Sequence, residues 1–86
     1  MPRYFFDIND GHERTVDTEG QQIADFEAAR RLAVQELAHL IRDDMPDGER
    51  ESYVVTVRDE SGRPVYVATA SMIGEMLTAP PTPAGD

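Results

Sequence analysis

The sequence contains no cysteine and no lysine. Without cysteine there are no disulfides and no thiolate-ligated metals, a composition compatible with a reducing compartment. Long apolar runs are also missing, and nothing approaches the ~20 residues that a membrane-spanning helix needs. The opening Met1-Pro2-Arg3-Tyr4 reads as the start of a strand rather than a signal peptide. The expectation is a soluble, cytoplasmic protein. The only basic side chains besides histidine are arginines, and 8 of them face 17 acids for a net charge of −9. A field of that sign repels phosphate backbones and disfavours direct DNA or RNA binding. The acidity either serves solubility or attracts a basic protein, and composition leaves both readings open.

Catalytic patterns are missing as well. No glycine-rich phosphate loop is present, and Ser52, Ser61 and Ser71 stand in strand or turn contexts without a nucleophile-elbow sequence. His12 and His39 are far apart in sequence, whereas zinc needs three or four converging ligands. Asp7, Asn9, Asp10 and Gly11 superficially match a calcium loop, but the spacing falls one residue short of the EF-hand pattern. A hairpin turn closed by an Asx-type side-chain bond accounts for the same residues. The expectation is a non-enzymatic protein without a metal or cofactor.

What is present is periodic. Phe26, Ala29, Ala33, Leu37, Leu40 and Ile41 recur at spacings of three and four, predicting an amphipathic helix over Asp25 to Asp44. Asp25 suits the N-cap, Glu27 pairs with Arg31 one turn on, and Pro46 stops the helix. Arg3 to Asn9 alternates, with Tyr4, Phe6 and Ile8 on one face and Arg3, Phe5, Asp7 and Asn9 on the other. Asn9-Asp10-Gly11 turns the chain into a short polar edge strand over Glu13 to Asp17. Asp17-Thr18-Glu19-Gly20 is a second turn, and Gln21 to Ala24 leads into the helix with Ile23 tucked beneath it. After the loop at Pro46-Asp47-Gly48, Ser52 to Arg58 and Val65 to Met72 alternate around the turn Asp59 to Arg63. Ile73 to Leu77 reads as a short amphipathic helical turn, and the proline-rich residues 78–86 read as a disordered tail.

The sum is one α+β domain over residues 1–77, ββαββ, with a four-stranded antiparallel sheet and one helix packed on one face. A chain of 86 residues supports one core and is only marginally stable, so help from a partner or a second copy is expected. One helix covers one sheet face. The other holds the candidate interface: Phe5, Val54, Val65 and Val67 with Thr56 and Thr69, bordered by Arg3 and Arg58. The alternative is that these residues merely suit an exposed pleat and that the segment around Ile73 and Leu77 folds over them.

Pro2 to Ile8, Asp17-Thr18-Glu19-Gly20, Glu27-Ala28-Ala29-Arg30 and the hairpin Val57 to Val65 together resemble a family of short bacterial proteins of unknown function. The likeness runs nearly to Met72, and the opening and the last hairpin are its most specific parts. That resemblance implies no activity and supplies no site residues. The early hairpin, the acid-glycine turn and the Glu-Ala helix start are more loosely similar to HicB-like antitoxins. The proline-glycine-cysteine segment and the appended DNA-binding region of those proteins are absent here. Two functions follow as expectations. One is an interaction module acting on itself or a protein partner through the open sheet face. The other is an antitoxin-like acidic regulator that sequesters a basic protein.

Overall fold

Alternating side chains build the sheet, and a computed structural model, which describes residues 1–43 and 50–78, gives its order. Among the described residues the elements are β1 (Arg3–Asn9), β2 (Arg14–Thr15), β3 (Gln21–Gln22), α1 (Phe26–Asp43), β4 (Arg50–Arg58) and β5 (Pro64–Ile73). All pairings are antiparallel, in the order β2-β1-β4-β5, and β3 also lies along β1. The fold is α+β, with one helix laid across one face of the sheet. No helix among the described residues is long and apolar enough to cross a membrane.

The core follows the alternation. Tyr53, Val55 and Val57 from β4 meet Ala68 from β5, Ala29, Ala33 and Leu37 from α1, and Ile23, all buried. Tyr4, Phe6, Ile8, Tyr66 and Ala70 pack around them, so the expected inward faces of β1, β4 and β5 from Tyr66 on are the observed ones. Ala29 and Ala33 are fully buried because a methyl group lets the helix backbone sit close to the sheet. Phe26, at the start of the apolar stripe, stays 41% exposed and meets Tyr66 edge-on at 6.2 Å between ring centroids.

Asp25 caps the helix as its chemistry requires. Its Oδ1 accepts from the Ala28 N–H at 2.8 Å, and its carbonyl accepts from the Ala29 N–H at 3.2 Å. Asp25→Ala leaves the Ala28 donor without this partner and is expected to lower stability by about 1 kcal/mol, read from a denaturant melt. Glu27 turns to Arg30, whose Nε lies 3.1 Å from it, and only grazes Arg31 at 4.0 Å. The expected i,i+4 pair is present but long, and the i,i+3 contact with Arg30 is the closer one.

Three other expectations are corrected. The second strand shrinks to Arg14–Thr15, because Asp17 turns back over the sheet instead of continuing along β1. Gln21 and Gln22, read as a lead-in to the helix, form a fifth short strand against Tyr4 and Arg3. The helical turn at Ile73 to Leu77 does not form: Ile73 ends β5, paired with Arg50, and residues 74–78 are non-helical. The loop at Pro46-Asp47-Gly48, the helix end at Asp44 and the tail from Ala79 lie outside the described residues.

Candidate functional site

The face of the sheet away from α1 is organised by an acid-arginine network. β1 needs an acceptor at its outer edge, because β3 pairs with Arg3 and Tyr4 and β2 with Ile8 and Asn9. Phe6 lies in the gap between them. The Asp17 carboxylate fills it, accepting from the Phe6 N–H at 3.1 Å. Its other oxygen accepts from the Glu19 and Gly20 N–H groups at 3.1 and 3.0 Å, which closes the turn that carries it. Burial pushes the Asp17 carboxyl towards its neutral form, but the donors from Gly20, Phe6 and Glu19 outweigh this and hold its pKa below the usual value.

Asp7, in the middle of β1, is buried to 4% exposure on this same face. Arg58 answers it with two bonds, Nε to Oδ2 at 2.7 Å and an η nitrogen to Oδ1 at 3.0 Å. The same η nitrogen donates to the Asp17 carbonyl at 2.8 Å, and the Asp17 N–H donates to Asp7 Oδ1 at 2.9 Å. The guanidinium also stands 5.1 Å from the centre of the Phe5 ring. The Arg58 bonds are the main reason the Asp7 pKa lies below its ordinary value, against the opposing effect of burial. Three parts of the chain, β1, the turn after β2 and the end of β4, are thereby locked together.

This network changes the open face. The segment from Asp17 to Gly20 covers Asp7 and Phe5, so only the part over β4 and β5 remains uncovered by any described element. Val54 lies beside Thr69 there, and Thr56 beside Val67, a small checkerboard of aliphatic and hydroxyl side chains. Val67 is 57% exposed, and the Ser52 and Ser71 hydroxyls meet at 3.1 Å at one end. The structure distributes the eight sequence-chosen residues unevenly. Val54, Thr56, Val67 and Thr69 form the patch, and Phe5 and Arg58 belong to the network at its border. Arg3 donates to the Glu19 carbonyl at 2.8 Å. Val65, beside the irregularity in the β4–β5 ladder, packs against the core.

The acidic turns are committed internally. Asn9 Oδ1 accepts from Gly11 N–H at 2.8 Å, and Asp10 Oδ1 accepts from His12 and Glu13 N–H at 2.9 and 2.8 Å. The Asx reading of the hairpin is the observed one. No cluster of three or more His, Asp or Glu side chains among the described residues is arranged to hold a metal ion. A shallow groove between α1 and the outer edge of β1, lined by Phe6, Ile8, Leu32 and Glu36, ends at the already engaged Asp17.

A family model described as a domain of unknown function, DUF6894, matches residues 3–71. The chain belongs to the DUF6894 family. No curated protein and no solved structure matches it. The matched span takes in β1, the Asp7–Arg58–Asp17 network and β5 up to Ser71, so the network lies inside the DUF6894 domain and residues 72–86 lie beyond it.

Proposed function

We propose that this DUF6894 domain is a non-enzymatic interaction module of the cytoplasm, acting through self-association or a protein partner on its open sheet face. The observation that carries this reading is the Val54, Thr56, Val67 and Thr69 patch, with Val67 57% exposed on a sheet whose other face is filled. Such a patch is stabilised by contact with another surface. Two arginines near it are engaged within the chain, Arg58 with the Asp7 carboxylate and Arg3 with the Glu19 carbonyl, which weakens the case for a phosphate partner. That favours a protein surface over a nucleic acid.

Val67→Asp places a charge in the centre of the patch without touching the core. Native mass spectrometry and sedimentation are expected to show lost association while circular dichroism stays unchanged. Association that survives in the folded variant rules out this face. The net charge of −9 favours a second reading, a regulator that holds a basic protein electrostatically. That reading predicts binding that falls steeply with added salt, whereas contact through the patch is nearly salt-independent.

A further inference from the structure

The bonding pattern of the sheet fixes which backbone groups point out from its free edge. Phe6 directs its N–H away from β4, towards Asp17, so Phe6 and Val57 form a pair without mutual backbone bonds. Along β4, Tyr53, Val55 and Val57 therefore direct their backbone groups to β5, where Ala70, Ala68 and Tyr66 receive them. The alternate residues of β5, Val67, Thr69, Ser71 and Ile73, then present their N–H and C=O groups outward. Among the described residues no strand lies beyond them.

An edge of this kind is ordinarily blunted by charge, proline or a bulge. Here the ten residues of β5 include no charged side chain, and the only proline is Pro64 at its start. The outward set reads aliphatic, hydroxyl, hydroxyl, aliphatic, and Val67 and Ile73 are 57% and 70% exposed. That order is the same in both directions. A strand running antiparallel with the same sequence matches it, Val67 against Ile73 and Thr69 against Ser71 of the other copy. An unrelated partner gives no reason for the symmetry.

We propose that β5 pairs antiparallel with β5 of a second copy about a two-fold axis at Ala70, joining the two sheets into one. This rests on the reading of the chain as an interaction module, but uses the strand edge rather than the open face. The register satisfies all four outward residues at once, giving about eight backbone hydrogen bonds. The charge-free strand also lets two chains of net charge −9 meet where neither carries an acid. Assembly stops at two, because the opposite edge is already closed: β2 and β3 cover β1, and Asp17 occupies the Phe6 N–H between them.

The test uses the full chain in a sedimentation concentration series with four variants, Val67→Asp among them. Thr69→Pro removes an outward N–H that the sheet itself does not use, and is expected to weaken dimerisation about a hundredfold with circular dichroism unchanged. Because the chain has no cysteine, single cysteines report the register. Across the axis, Ala70 faces its own copy at about 4.5 Å between Cα atoms, within disulfide reach. Thr69 is offset from its copy by a diagonal of roughly 8 Å. Ala70→Cys is therefore expected to form an oxidised dimer and Thr69→Cys is not. A monomer at every concentration overturns both this pairing and self-association. A dimer that survives Thr69→Pro but is split by Val67→Asp overturns the edge pairing and leaves the open face standing. Cross-linking through Thr69→Cys in place of Ala70→Cys overturns the axis. Should Thr69→Pro fail to fold, the two cysteine variants decide alone.

Discussion

Asp7→Ala is expected to cost about 2–4 kcal/mol, because it removes the carboxylate that gathers three segments of the chain. Asp7 is 4% exposed and makes two bonds to Arg58 and one to the Asp17 N–H. Its loss strands a guanidinium against Phe5 and leaves the Asp17 N–H without its acceptor. The figure is below the top of the range for broken buried pairs, because the Arg58 side chain is 22% exposed and water partly replaces the lost partner. In a domain of this size such a loss lowers the melting temperature by roughly 10–20 °C. A double-mutant cycle with Arg58→Met separates the pair from the rest. The double variant is expected to lose less than the two single losses together, since neither charge is then left alone. Strict additivity would mean that the two side chains act independently.

The same carboxylates contribute to the acid response, as do Asp10, Glu27 and Asp59, whose pKa values are also lowered. Asp7 and Asp17 both have folded-state pKa values below the usual carboxylate range, so folding favours their ionised forms. The stability they contribute is fully present above the unfolded pKa of about 3.9 and is lost as pH falls through the lower folded values. Acid titration of wild type is expected to show a steep loss of stability below that point. Asp7→Asn has one fewer such group and gives a shallower slope. An equally steep slope in the variant would place the acid response elsewhere.

Periodicity made most of the fold legible. Tyr53, Val55 and Val57 on β4, Tyr4, Phe6 and Ile8 on β1, and the alanines of α1 all lie on the faces their spacing assigned. Strand order was not legible, because it depends on pairs such as Asp7 and Arg58 that stand 51 residues apart with no local signature. Asp7 read as an outward strand residue or a calcium-loop acid. A charged residue between Phe5 and Asn9 on an otherwise mild face was a signal that a distant arginine was needed. Asp17 was visible as a turn former, but its role at the Phe6 N–H depends on the gap between β2 and β3, one of which was not foreseen. At Ile73 to Leu77 the helical spacing is real, yet Ile73, Met76 and Leu77 are 70%, 59% and 89% exposed. Among the described residues nothing lies there for a helix to pack on, and strand pairing with Arg50 prevails at Ile73. On the open face, spacing places Phe5 beside Val54 and Val67, but the Asp17 turn covers the Phe5 side and narrows the exposed strip to β4 and β5.

Gly20→Ala is expected to be nearly as damaging as loss of Asp7, through shape rather than charge. Gly20 has φ +70°, which an L side chain adopts at a cost of about 1–2 kcal/mol. A Cβ there would lie 2.9 Å from the Tyr4 carbonyl oxygen and 2.9 Å from the Phe5 ring. The carbonyl belongs to the ladder that holds β3 and cannot simply rotate away, so overpacking adds about 1–3 kcal/mol. The turn must open, and the Asp17 carboxylate then loses the Gly20 N–H and its aim at Phe6. Gly62 is the internal control. Its φ is +88° but a Cβ there meets nothing within 4 Å, so Gly62→Ala carries the backbone cost without the collision. Denaturant melts of the two variants are expected to show Gly20→Ala as clearly the less stable. Hydrogen exchange should be faster at the Phe6 amide in Gly20→Ala and unchanged there in Gly62→Ala. Equal losses in the two variants would mean that the close approach at Gly20 relaxes freely, and that the Asp17 turn is not held by the strand beneath it.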